Sequence, residues 1–502
     1  MLLPMAYLVL RALEADTATL GEIVFRARNL MLLVNTLLLT FSVLAVVTVI
    51  ALPLAWLVVR SDLRHKRLLS IVSVLPLAIP GYVMAYALIG MSGYYGFANH
   101  FFGIRLPRPE GLAGATLALS LYTFPYLFLN LRSALLGLDP ALEETARSLG
   151  HSRWGAFRQV VLPHLIPAIM SGWLIIGLYV LGDFGVIALM RYEVFSYAIF
   201  TQYSGAFDRI YAAWLSLMLL AVTLTFVLGE AALTRRRRHA RTGTGVRRRA
   251  APVPLGQWRP LAWLFLGFVF IASLGLPTLV LIHWMTLAAS NVDFVALMGE
   301  LWRAFGRTAA VAAPSALLAA VLALPVVYLV VRFPSRFSTV IERLVYLGYA
   351  IPPLTFGLAM VFFALRSAPF LYQSLALLIF ACSMTFLALP VGPLRTALLQ
   401  IGTRPEEVAR SLGDPPFRAF RRTVLPLLRA PIVAGALLVF IVVVKELPIT
   451  FLLAPAGYTT LAMTVFSRTS EGMMAEAAPF AAAIVLFSSL FVGLILRYEG
   501  QK

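Results

Sequence analysis

From Leu30 to Val59 the chain runs without a single charged side chain. Such a stretch, wound as a helix at ~1.5 Å per residue, is about 45 Å long and exceeds the ~30 Å hydrocarbon core of a bilayer. Further apolar runs fall near 68–91, 112–136, 163–190, 210–233, 261–286, 306–331, 343–366, 370–394, 426–454 and 475–496. With a short first run at 1–13 they make twelve spans and predict an all-α polytopic membrane protein embedded in a lipid bilayer. Composition agrees, at 61% hydrophobic and 13% charged, against about half and a quarter in soluble domains. Met1 to Ala12 offers about half the length of a crossing helix, and no basic leader with a small-residue cleavage site precedes it.

The formal charge of +19 would suit a nucleic-acid partner, but the positions of the basic residues argue against one. They fall between spans, as in Arg60-Ser61-Asp62-Leu63-Arg64-His65-Lys66-Arg67 and the stretches 137–160, 234–259 and 395–425. Loops of this kind stay on the cytoplasmic side, which places both termini there. The arginine-rich, Gly- and Pro-containing stretch 234–260 has no apolar face to bury and is expected to be a mobile basic linker. It separates a first half, 1–233, from a second half, 261–502. A lone cysteine, Cys382, excludes an internal disulfide, and the six histidines show no ligand spacing, so no metal site is expected.

The two halves repeat each other. Thr36 and Thr308, Leu52-Pro53 and Leu324-Pro325, Arg60 and Arg332, and Ile79-Pro80 and Ile351-Pro352 stand 272 residues apart. Beyond a nine-residue excess around 91–113 the offset becomes 263, linking Arg132 to Arg395, Glu144 to Glu407, Gly150 to Gly413 and Leu162-Pro163 to Leu425-Pro426. Halves in the same order, each with an even number of crossings, form a parallel repeat about an axis along the membrane normal, with the pathway expected between them.

One repeated segment stands out. The first copy, within 139–163, reads Glu143-Glu144-Thr145-Ala146-Arg147-Ser148-Leu149-Gly150, then Phe157 and Leu162-Pro163. The second, within 402–426, reads Glu406-Glu407-Val408-Ala409-Arg410-Ser411-Leu412-Gly413, then Phe420 and Leu425-Pro426. Pro140 and Pro405 suit the first turn of a helix, and the carboxylates favour its positive end. Glycine then permits the left-handed residue that stops it. Each copy is thus a cytoplasmic knob joined to a transmembrane helix at Leu-Pro.

These segments resemble the coupling loop, or Glu-Ala-Ala motif, of type I ABC importer permeases. That pattern is Glu-Ala-Ala, three residues, Gly, nine residues, an aliphatic residue, one residue, Leu-Pro. Both copies fit, with Thr145 and Val408 in place of the first alanine and Thr423 in place of the aliphatic residue. The resemblance covers nearly the whole chain and is closest to fused two-domain ferric-iron permeases, through Gly182-Asp183-Phe184-Gly185-Val186 and Lys445-Glu446-Leu447-Pro448. It implies about twelve helices in two repeats of that fold, in a bacterial cytoplasmic (inner) membrane. It also implies two copies of a cytoplasmic ABC ATPase docked on the loops, and a periplasmic substrate-binding protein. Relatives carrying thiamine, 2-aminoethylphosphonate, sulfate or polyamines keep other cargoes open.

The chain itself carries no catalytic cluster and no phosphate-binding loop. None of its lysines, Lys66, Lys445 and Lys502, lies in a Gly-Lys-Ser/Thr setting, so ATP and Mg²⁺ belong to the partner ATPase. A secondary transporter, the reading from another class, would need its own ion-coupling site and no docking loop. Asp183 and Glu446, also 263 apart, put a carboxylate at the same place in each half, followed two residues later by Gly185 and Pro448. Charges there cost about 2.5–3.5 kcal/mol at a span's centre. Twenty residues past Pro163, about 30 Å of helix, predicts Asp183 at the periplasmic mouth. Two readings stand side by side: both acids, with Lys445 beside Glu446, line the pathway, or both hold neighbouring segments at helix ends.

Overall fold

A computed structural model describes residues 2–14, 21–22, 26–206, 208–235, 252–291 and 293–499. The arginine-rich core of the linker, 236–251, lies outside them. The first half contains α1 (Leu2–Ala12), α2 (Ala27–Arg60), α3 (Lys66–Val74), α4 (Gly81–Gly90), α5 (Phe97–Phe102), α6 (Gly111–Gly137), α7 (Pro140–Ser148), α8 (Leu162–Gly182), α9 (Gly185–Leu189), α10 (Phe195–Ser204) and α11 (Arg209–Arg235). The second contains α12 (Arg259–Phe270), α13 (Leu276–Asn291), α14 (Phe294–Arg332), α15 (Arg336–Ala350), α16 (Pro353–Ser367), α17 (Leu375–Thr385), α18 (Ala388–Ile401), α19 (Arg404–Ser411), α20 (Arg429–Val444), α21 (Pro448–Leu453), α22 (Leu461–Ser470) and α23 (Met474–Glu499).

Among the described residues, six helices are long and apolar enough to cross a membrane, four bent helix pairs qualify together, and two shorter apolar helices remain. Their positions match the twelve expected runs, but several runs are not straight rods. Those at 68–91 and 343–366 fold back by 90° and 106°. The cause is the repeated Ile-Pro, since a residue before proline is driven out of the helical region. Ile79 (φ −88°, ψ 115°) and Ile351 (φ −70°, ψ 128°) are both extended. The runs at 163–190 and 426–454 break after α8 and α20, where short α9 and α21 begin.

Packing does not follow the linear halves. One compact unit is built on α2–α9 and includes α12, α13 and α23; the other is built on α14–α22 and includes α1. In the first, the Tyr86 hydroxyl donates to the Met474 carbonyl (2.9 Å) and the Trp284 indole to the Gly90 carbonyl (3.0 Å). In the second, Tyr7 meets Phe363 edge-on at 5.5 Å and the Trp214 indole donates to the Ala12 carbonyl (2.7 Å). The duplicated cores, 27–198 and 293–467, therefore stay intact, while flanking helices pack with the core of the other half. The apolar face of a flanking helix gives no indication of which core it will cover.

The expectation of a mobile linker needs correction at its C-terminal end. Val253 donates to the Arg60 carbonyl (2.7 Å) and accepts from Asp62 N–H (3.1 Å), making an isolated parallel bridge at Ser61. Asp62 accepts from Leu255 N–H (3.1 Å) and from Arg259 (2.5 Å). The Leu255 amide, and then Arg259, hold its carboxyl below the usual carboxylate range. A depressed folded-state pKa contributes stability above the ordinary value that is lost as pH falls through the folded one. Asp62→Ala is expected to release residues 252–259 and speed their cleavage by added protease several-fold. Cleavage at the wild-type rate counts against this clasp.

Candidate ATPase-coupling loops and the paired carboxylates

Each knob is built as its composition dictates. Asp139 caps α7 by accepting from Ala141 N–H (3.0 Å), and Pro140 occupies the first turn. Both knob helices end in the same Schellman motif. Gly150 (φ +92°) and Gly413 (φ +96°) donate to the carbonyls of Arg147 and Arg410 at 3.1 and 3.0 Å. His151 and Asp414 then close onto Ala146 and Ala409 at 3.2 and 3.0 Å. An L side chain at either glycine meets no neighbour within 4 Å, so the left-handed backbone alone resists it, by about 1–2 kcal/mol. Ala146 and Ala409 are buried and face the body of the protein.

The chain then passes through π turns, Phe157–Val161 directly into α8, and Phe420–Val424 into a short Leu425–Leu427 turn that bends by 68° into α20. Leu162 N–H bonds to the Phe157 carbonyl, and Leu425 N–H to that of Phe420, each reaching five residues back. Pro163 and Pro426 explain this, because a proline ring clashes with the carbonyl four residues earlier, and widening the turn relieves it. Phe420 packs edge-on against Tyr328 at 5.1 Å.

The adjacent glutamates divide their tasks. Glu143 receives the Arg60 guanidinium, and Glu406 lies 3.5 Å from that of Arg332. Both arginine side chains are 7% exposed. Tyr328 donates to Glu406 (3.2 Å) and Arg332 to the Gly402 carbonyl. The second glutamates, Glu144 and Glu407, are exposed. Each knob is thus pinned to the last residue of a long helix, α2 or α14. Sequence reasoning registered Arg60 and Arg332 as repeats but gave them no role.

It also passed over the outward apolar tip. Leu149 and Leu412 are 76% and 83% exposed, and Trp154 and Phe417 are 69% and 76% exposed. Both pairs stand 263 residues apart, so the same two exposed apolar residues recur in each loop. Large aromatic and aliphatic residues kept outside at equivalent places suit the centre of a protein interface.

The paired carboxylates are equivalent in geometry as well. Asp183 accepts from Val186 N–H and Glu446 from Ile449 N–H, each at 2.9 Å. Each acid caps the short helix that follows it, α9 or α21, with Pro448 in the first turn of the latter. Lys445 is half-buried and ends α20 through its backbone N–H to Val442. Asp183 lies beside the middle of α6 rather than beside its end. Its carboxylate reaches Tyr122 (3.4 Å), the twelfth residue of the 27 in α6. The chain continues beyond Asp183 through α9, whose Met190 carbonyl accepts from Gly111 N–H at the start of α6 (2.7 Å). Near the 91–113 loop, Tyr82 and Tyr86 are buried while Tyr94 and Tyr95 are exposed.

Duplicated apolar-tipped knobs on an all-α bundle of broken spans define a membrane permease. The chain belongs to the family described as binding-protein-dependent transport system inner membrane component, which matches residues 48–239 and 314–498. It is 33% identical over 497 residues to the Fe(3+)-transport system permease protein FbpB 2 of Haemophilus influenzae, covering 99% of this chain and 95% of that one. It is 25% identical to the ferric transport system permease protein FbpB of Actinobacillus pleuropneumoniae, over 91% of this chain and 71% of the relative. A shorter match, 36% identical over 30% of this chain and 69% of the relative, is to the molybdenum transport system permease protein ModB of Escherichia coli.

Proposed function

We propose that this chain is the permease of an ATP-driven importer for ferric iron in a bacterial inner membrane. The cargo reading rests on the near full-length similarity to a relative named for Fe(3+) transport. The observation that carries the mechanism is the duplicated knob. Each is pinned through a glutamate to a long helix and leads through a π turn, followed in the second half by a 68° bend, to the span that ends at Asp183 or Lys445–Glu446. Two copies of a cytoplasmic ATPase, holding ATP and Mg²⁺, would grip Leu149 with Trp154 and Leu412 with Phe417. Their closure would pull both knobs and swing α8 and α20, opening the pathway to a loaded periplasmic binding protein. Both termini then face the cytoplasm, as the basic loops require. Asp183 and Glu446, each at the end of a driven helix, are the carboxylates placed to respond.

Membrane vesicles carrying the chain with its ATPase and binding protein provide the test. ATP-dependent accumulation of radiolabelled ferric ion is expected, exceeding that of thiamine, 2-aminoethylphosphonate, sulfate or spermidine at least tenfold. Preferential accumulation of one of those four would replace iron as the cargo. Accumulation driven by an ion gradient without ATP would indicate a secondary transporter.

A further inference from the structure

Between α6 and α8 a row of polar side chains runs through largely apolar helices. Tyr122 and Tyr126 are four residues apart on α6, and Tyr179 and Asp183 four apart at the end of α8, so each pair shares a face. The helices run antiparallel there. The Tyr122 hydroxyl meets Asp183 (3.4 Å) and the Tyr126 hydroxyl meets that of Tyr179 (2.9 Å), with the second pair of rings stacked at 5.1 Å. One turn further on, Asn130 donates to the Tyr126 carbonyl (2.9 Å) and adds an amide oxygen. From Tyr122 to Asn130 the row extends about 12 Å along α6, toward the end of the helix that leads into α7.

The second half provides an internal control. At the positions 263 residues later stand Thr385, Leu389, Pro393, Val442 and Glu446. The carboxylate is kept and the three phenols and the amide are not. The duplicated fold therefore does not need them to hold these helices together, and α18 packs with α20 without them. Polar groups inside spans are costly and mark ion or substrate routes.

We infer that this row is the substrate-contacting track, so that the first half alone grips the cation. The inference rests on the ferric reading above. Phenol, carboxylate and amide oxygens are hard donors and suit a hard trivalent cation. A tyrosine that binds as phenolate exchanges its O–H proton for the metal–oxygen bond, and the proton leaves to water. The ion would enter at Asp183 and Tyr122, pass Tyr126 with Tyr179, and leave past Asn130.

Uptake of radiolabelled ferric ion by vesicles with the complete transporter tests this. Tyr126→Phe with Tyr179→Phe keeps both rings and removes both hydroxyls. It is expected to lower uptake at least tenfold and raise the half-saturating concentration, with ATPase copurification unchanged. Thr385→Val, at the position equivalent to Tyr122, is expected to stay within twofold of wild type. A purely structural bond would lower the thermal midpoint of the purified chain and leave the concentration dependence unmoved. If the double variant reaches the membrane poorly, Tyr179→Phe alone carries the comparison. Uptake by the Phe variants within twofold of wild type, or an equal loss in Thr385→Val, overturns the track. Wild-type vesicles that take up no ferric ion overturn instead the reading on which it rests.

Discussion

Replacing Arg60 by Glu is expected to reduce ATP-driven uptake at least tenfold, and adding Glu143→Arg in the same chain to restore most of it. The Arg60 side chain is 7% exposed and its partner 22%, and removing one member of such a pair costs about 3 kcal/mol by leaving the other uncompensated. Here reversal adds repulsion, so the knob loses its hold on α2. Because Arg60 and Glu143 are 83 residues apart in sequence, recovery by the swap would depend on their contact. Uptake and thermal midpoint, measured on the single and double variants, check this. Failure of the swap to recover either quantity argues that Arg60 acts elsewhere.

The second large effect is expected at the apolar tips. Buried aromatic and aliphatic anchors at the centre of an interface commonly cost 2 kcal/mol or more each on truncation. Trp154→Ser with Phe417→Ser removes one anchor from each knob and touches no hydrogen bond that shapes it. ATPase copurification is expected to fall more than tenfold, while the permease keeps its wild-type yield and midpoint. Full copurification would place the docking face elsewhere. Changing the exposed Glu144 and Glu407 together to Gln is the milder version of the same comparison.

How legible all this was depends on the range of each interaction. Spans, basic loops and the Schellman glycines depend on neighbours within a few residues, and periodicity and local chemistry reach that far. The repeat extended the reading, because Gly150 with Gly413 and Glu143 with Glu406 each lent the other weight. The repeated Ile79-Pro80 and Ile351-Pro352 were noticed but not read as sharp bends, although the restriction before proline was available. Arg60 with Glu143 was invisible, since no local pattern joins residues across two intervening spans. The Tyr126–Tyr179 pair was missed for a related reason. In a helix apolar on every side, a tyrosine carries no phase until its neighbour is known. Packing of α1 with the core of the other half was equally beyond a reading based on order along the chain.

The π turns at Phe157–Val161 and Phe420–Val424 also have a consequence for direction. One residue of an α-helix advances the azimuth by about 100°, and a π turn carries one residue more than the α-helical turn it replaces. The compass heading of each knob about its span is therefore set by that one extra residue. Both loops carry such a five-residue turn before Leu-Pro. Losing the extra residue would turn a knob by roughly a quarter of a circle about the helix it enters, and so turn its apolar face away from whatever it meets.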